Sequence, residues 1–307
     1  MSLVHALVDS DAFRWVAKRG PTRVVFRSRA YRRLDLARRR RWASRAARAS
    51  RAERPFAQVR TFCFFIGHNK SGTSMLGALL DAHPRMVVSD ELDALSYVDA
   101  GFGRDELFHL ILRGSRTEAR KGRVTARRLE PYSYEVPGWS QGRAERPLVV
   151  GDSTSGTSTR RLGADPALLD RLRRLVGVDV RLVQVVRNPF DPIAVMMVRG
   201  GRSFENAADH YFRACETLRT LRARLGPGEL VTVRYERFCE DPAAELARVS
   251  AFLGVEPDRP YLDACAAIIR REPVRDRARV EWSADAIARV ERGIAGFDFL
   301  EGYSHAD

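Results

Sequence analysis

The segment Gly67-His-Asn-Lys-Ser-Gly-Thr-Ser74 has the composition of an anion cradle. Its two glycines, two serines and threonine let several backbone N–H groups face one anion, and a helix opening behind them adds its positive end. Lys70 brings a mobile full charge, while Ser71, Thr73 and Ser74 bring hydroxyl donors. The order is not that of a Walker A loop, where Gly-Lys-Ser/Thr closes the motif; here Lys70 precedes Ser71-Gly72. Asp90-Glu91 is the second place with chemistry, since a carboxylate beside such a cradle can take a proton from an acceptor hydroxyl. Glu91 is the stronger candidate and Asp90 its nearest rival, with helix capping as the plain alternative. His68 lies inside the loop, where it positions backbone, and His83 before Pro84 reads as structural.

The surrounding pattern supplies elements able to hold these groups. Thr61–Ile66 is a continuous apolar run, as expected for a parallel strand buried on both faces, and it leads straight into the cradle. Helix Met75–Ala82 follows, then a strand at Met86–Ser89 and helices near Leu92–Val98 and Asp105–Leu112. Strands at Leu148–Val150, Val180–Val186 and Val231–Val233 alternate with helices at Pro166–Val176, Ser203–Leu225 and after Asp241-Pro242. The stripe Phe204, Ala208, Tyr211, Cys215, Leu218 is core at helical spacing. The alternation predicts an α/β fold with one doubly wound parallel sheet. Ligands bind such sheets outside the carboxyl ends of the strands, which nominates 67–74, 89–93, Arg187–Pro189 and Arg234–Glu236. Residues 113–147, polar, basic and broken by Pro131, Gly138 and Pro147, read as an inserted loop or lid.

Taken together, these motifs resemble the sulfotransferases that use 3′-phosphoadenosine-5′-phosphosulfate (PAPS), with spacing similar to the bacterial and tyrosylprotein branches. The likeness lies in the G-H-N-K-S-G-T-S loop, Leu79-Leu-Asp-Ala-His-Pro84, Val185-Val-Arg-Asn-Pro-Phe-Asp191, the Tyr235-Glu…Asp-Pro…Phe-Leu-Gly254 pattern and Trp282…Gly302-Tyr303. It covers about residues 60–307, in family order. It implies a P-loop-like phosphosulfate cradle, PAPS as donor, PAP as product and no metal. Lys70 would neutralise the departing phosphate oxygens, with His68, Asn69, Ser71, Gly72, Thr73 and Ser74 completing the loop. Arg187 and Arg199 would hold the 3′-phosphate, Tyr235 would lie near the nucleotide, and the stretch with Arg275, Arg277 and Arg279 would close over it. Glu91 stands 21 residues after Lys70, where the tyrosylprotein branch has its base. Two positions depart from the family pattern: Val195 replaces a phosphate-binding serine, and Ser153 replaces the lysine of Gly-Asp-Lys.

The chain has 307 residues and is 45% hydrophobic, enough for a substantial core. No apolar run reaches the ~18 residues of a membrane span, and the start reads as no secretory signal. The four cysteines form no CxxC pair and read as buried reduced thiols in a cytoplasmic protein. The net charge of +14 is concentrated in residues 1–60, with 17 Lys+Arg against four acids. Residues 1–58 therefore read as a basic helical extension on a sulfotransferase domain of 59–307. The extension packs on the body or meets an anionic membrane surface; no specific nucleic acid is expected. The acceptor hydroxyl belongs to a carbohydrate, lipid, phenol, peptide tyrosine or secondary metabolite. The rival functions are a P-loop small-molecule kinase and a non-enzymatic protein acting through its basic arm.

Overall fold

The computed structural model describes residues 29–124, 132–139 and 141–307. The first half of the expected basic arm, with Val24 and Val25, and Pro131 of the expected lid lie outside the described residues. Among those described, β1 (Thr61–Gly67), β2 (Met86–Ser89), β3 (Val149–Asp152), β4 (Asp179–Val186) and β5 (Leu230–Arg234) form one parallel sheet in the order β2-β3-β1-β4-β5. The apolar run of β1 is buried throughout because it is the central strand, flanked by β3 and β4. Gly151 lets β3 approach it: a Cβ there would sit 2.4 Å from the Cys63 carbonyl oxygen.

The helices are α1 (Arg29–Ala49), α2 (Thr73–Ala82), α3 (Ala94–Asp99), α4 (Arg104–Arg120), α5 (Gly156–Ala164), α6 (Ala167–Val176), α7 (Phe190–Val198), α8 (Phe204–Arg222), α9 (Tyr235–Glu240), α10 (Pro242–Phe252), α11 (Arg259–Ala267) and α12 (Ala284–Ala295). The period of two along β1 sorts them into layers. Phe62, Phe64 and Ile66 face a core built with α4, α6 and α8, including Phe108, Leu169, Tyr211 and Leu218. Cys63 and Phe65 face the opposite core, with Leu76 and Leu79 of α2 and Leu246 and Val249 of α10. The cysteines are all buried and unpaired. Asp241 caps α10 by accepting from the Ala244 N–H at 3.1 Å, with Pro242 in the first turn.

One expectation shifts. The helix predicted to end at Leu112 continues to Arg120, so the irregular stretch starts at 121. Its polar outer face hid a continuing amphipathic period. Helix α1 packs on the body, one of the two placements expected of the basic extension. Ala43 is fully buried, Trp42 packs against the core under the Arg113 guanidinium, and Ser50 Oγ meets His109 Nε2 at 2.8 Å. No described helix is long and apolar enough to cross a membrane.

The connection from β1 leaves toward β2 and that from β4 leaves toward β5. These adjacent strands part their crossovers in opposite directions, which opens a crevice at their carboxyl ends.

Candidate active site

The cradle is built at the mouth of that crevice. Lys70 adopts φ 71° and Gly72 φ 96°, a left-handed path that turns the chain from β1 into α2. Gly72 is also required by space, because a Cβ would lie 2.6 Å from the Tyr235 ring. The start of the loop is fixed from α5: Thr159 Oγ1 accepts from the Gly67 N–H at 2.9 Å, and Ser155 Oγ donates to the His68 carbonyl at 3.3 Å. Among the described residues, no acceptor engages the backbone N–H groups of 69–75. These N–H groups, in the loop and the open first turn of α2, are thus free for an anion. His68 turns the other way. Its ring stacks on Tyr211 with centroids 3.9 Å apart and bonds the Tyr211 carbonyl at 3.0 Å. Burial drives its pKa down to about 4, so the ring is neutral at ordinary pH.

Arg187, directly after β4, joins the end of that strand to the cradle. Nη1 donates to the Lys70 carbonyl at 3.0 Å, and the guanidinium lies 5.0 Å from the Tyr235 ring centroid. Nη2 donates to Asp276 at 3.1 Å and to the Val274 carbonyl, while Nε is buried without a hydrogen-bond partner. Asp276 is the hub of this corner, since Arg199 and Arg279 each stand 3.9 Å from its Oδ1. Arg277 points away, paired with buried Asp191 at 3.0 Å. The turn itself is braced by the chain end. Glu236 accepts from the Asn188 N–H at 2.9 Å and from the Tyr303 hydroxyl at 2.6 Å, and Asn188 donates to the Ser304 carbonyl at 2.8 Å.

Glu91 projects from the segment between β2 and α3 with φ 50°, exposed at the cleft. Asp90 lies beneath it. Its carboxyl accepts from Ser153 Oγ at 3.0 Å, and burial, followed by the neighbouring Glu91 charge, raises its pKa. These groups border a cleft of about 700 Å³. Of the expected site residues, Asn69, Lys70, Gly72, Thr73, Ser74, Glu91, Arg187, Arg199 and Tyr235 line it. The side chains of His68 and Ser71 are buried and do not.

The sequence reading passed over Asp276, Asp93 and the pair Tyr132 and Tyr134, which also line the cleft. Asp276 sat unremarked among three candidate arginines. Only an acid between basic residues in a late loop could have flagged it.

A model of the sulfotransferase family matches residues 63–259, well over half of the chain. A comparison with curated proteins finds no match. Among solved structures the chain is similar to a sulfotransferase from Alicyclobacillus acidocaldarius, with 20% identity over 81% of this chain and 97% of that one and a TM-score of 0.44. It is also similar to the sulfotransferase domain of the Synechococcus PCC 7002 olefin synthase, with 18% identity, 67% and 78% coverage and a TM-score of 0.44. Mouse sulfotransferase SULT7A1 complexed with PAP gives 12% identity, 78% and 85% coverage and a TM-score of 0.41.

Proposed function

The chain belongs to the sulfotransferase family, and we propose that it transfers a sulfuryl group from PAPS to an acceptor hydroxyl, releasing PAP. When bound, PAPS supplies an activated sulfuryl group on a phosphate leaving group. The acceptor oxygen–sulfur bond forms as the sulfur–oxygen bond to the 5′-phosphate breaks, and the acceptor's proton passes to Glu91. Lys70 and the N–H groups of the loop and α2 meet the charge that gathers on the departing oxygen. Arg187 and Arg199 hold the 3′-phosphate, and Tyr235 lines the nucleotide cleft. The acceptor is an alcohol or phenol of a carbohydrate, lipid, peptide or secondary metabolite. Residues 59–307 form the catalytic unit.

The observation that carries this reading is the 3.0 Å bond from Arg187 to the Lys70 carbonyl. It sets a second cationic position beside the cradle, as a donor with separated 5′ and 3′ anionic groups requires. The unengaged loop N–H groups fit such a ligand. Thermal-shift titration tests it: PAP should raise the melting temperature well above the effect of AMP or ADP. Equal shifts with ATP-magnesium would favour the kinase reading, against which the family match already weighs.

A partner reading attaches to α1. Arg33, Arg41, Arg45 and Arg48 are exposed, and Leu34 beside them is 70% exposed. This surface supports peripheral contact with anionic lipid at the cytoplasmic face.

A further inference from the structure

Asp152 ends β3 with its side chain fully buried, and its carboxylate gathers the segment that carries Glu91. Oδ2 accepts from the Ala94 N–H at 2.8 Å. Oδ1 accepts from the Leu92 N–H at 3.2 Å, from Ser89 Oγ at 3.1 Å and from Thr154 Oγ1 at 3.0 Å. The neighbours of Asp152 finish the clamp. Thr154 Oγ1 takes the Asp93 N–H at 3.0 Å, and Ser153 Oγ reaches Asp90 at 3.0 Å. Arg161 closes on both oxygens of Asp93 at 2.7 and 2.6 Å. Among the described residues of 89–94, every one but Glu91 is tied down. Glu91 and Asp93 meanwhile hold left-handed φ values of 50° and 63°, a conformation that a non-glycine residue keeps only where the surroundings over-determine it.

We propose that Asp152 is a positioning residue for Glu91: its carboxylate fixes Leu92 and Ala94 so that the intervening backbone must project Glu91 into the cleft. The inference rests on the reading of Glu91 as the base. A carboxylate suits the task better than an amide, because both oxygens accept and the converging groups are all donors. An asparagine would turn an NH₂ group toward the N–H of Leu92 or Ala94.

The test is Asp152→Asn in the full chain. It should lower turnover from PAPS by roughly 10²-fold, the scale of a misplacement of about 1 Å, while PAP affinity stays within a few-fold. The loss should grow from acidic phenols to aliphatic alcohols, because the less acidic acceptor depends more on the base. A general structural defect would depress all acceptors alike. Made on top of Glu91→Gln, the substitution should add little, since both remove one function. Amide exchange at Leu92 and Ala94 should rise while that of β1 stays slow, a readout that needs no acceptor. Thr154→Ala, a gentler cut in the same clamp, should move exchange and turnover in the same direction if Asp152→Asn does not fold. Unchanged exchange at Leu92 and Ala94, or a loss fully additive with Glu91→Gln, would overturn the assignment. Full turnover of Glu91→Gln would instead remove the base reading beneath it, even with Asp152 still anchoring the segment.

Discussion

Replacing Asp276 by asparagine should tighten PAP binding, although it deletes the partner of three arginines. Arg187 stands 3.1 Å from the Asp276 carboxylate and Arg199 and Arg279 3.9 Å, so this acid lies among the cations assigned to the 3′-phosphate. An incoming phosphate within ~6 Å of it would meet repulsion of about 3 kcal/mol at an effective dielectric of about 20. Solvent in the open cleft screens roughly half of that, leaving ~1.5 kcal/mol, or about tenfold in Kd. Asparagine keeps the shape and one acceptor for Arg187 Nη2 while removing the charge. Calorimetric titration of wild type and Asp276→Asn with PAP measures the gain, and AMP, which lacks the 3′-phosphate, is the control that should change much less. The ligand-free variant should melt lower, because Arg199 loses its carboxylate neighbour and Arg187 keeps only Asp191, 3.5 Å from its Nε. Weaker PAP binding by the variant would refute the reasoning and show that Asp276 instead presents Arg187 to the ligand.

Glu91→Gln should cut turnover by roughly 10²–10⁴ with PAP affinity nearly intact, whereas Lys70→Ala should damage both, because its charge meets ground and transition states alike. Steady-state rates with calorimetry separate the two patterns, and near-full turnover of Glu91→Gln beside a dead Asp90→Asn would move the base to Asp90. His68 supplies a pH signature. Its folded pKa of about 4 lies below the ordinary 6.5, so the unfolded chain binds the proton first and stability is lost as pH falls from about 6.5 toward 4. The slope approaches ~1.4 kcal/mol per pH unit, and the stability gap between wild type and His68→Gln should shrink across that window in urea titrations. Exchanging Arg41, Arg45 and Arg48 for glutamine should reduce sedimentation with phosphatidylserine vesicles without changing PAP affinity; unchanged sedimentation would leave α1 as a packing element.

The fold was legible because its signals are strong and local. β1 announced itself as an unbroken apolar run into a glycine-serine loop, and β2 was bounded at the observed residues, Met86 and Ser89. Short helices escaped: α7 follows Arg187-Asn-Pro without a separating turn, and α9 begins directly at Tyr235 after β5. Their apolar residues read equally well as strand ends. In the site, the residues that touch the cleft were mostly visible as a motif, but the groups that govern them were not. Asp276 and Arg187 are 89 positions apart and meet only through the late turn. Asp152 looked like one more strand-terminal polar residue, since nothing local shows that its two oxygens collect N–H groups from across β2. Helix α1 docks through Trp42 and Ala43, a packing that the apolar residues interspersed among its arginines allowed but did not decide against a membrane surface.

The two departures from the family pattern bear on how the cleft handles charge. Val195 is 6% exposed and lines the cleft near Arg199 with no donor to offer, so the corner proposed for the 3′-phosphate has one hydroxyl fewer and, in Asp276, a carboxylate nearby. At the other end, Ser153 is buried, its hydroxyl directed to the Ser89 carbonyl at 3.2 Å and to Asp90 at 3.0 Å. Helix α2 presses on it so closely that a Cβ on Gly77 would come within 2.6 Å of Ser153 Cβ. A lysine at 153, a position that borders the cleft, would lose these hydroxyl contacts to Ser89 and Asp90 and crowd the face of α2 at Gly77. The small residue here lets α2 sit tight against β3, and in the proposed reaction the stabilisation of the leaving oxygen falls to Lys70 and the open first turn of α2. Restoring the family lysine by Ser153→Lys should therefore lower turnover and stability together.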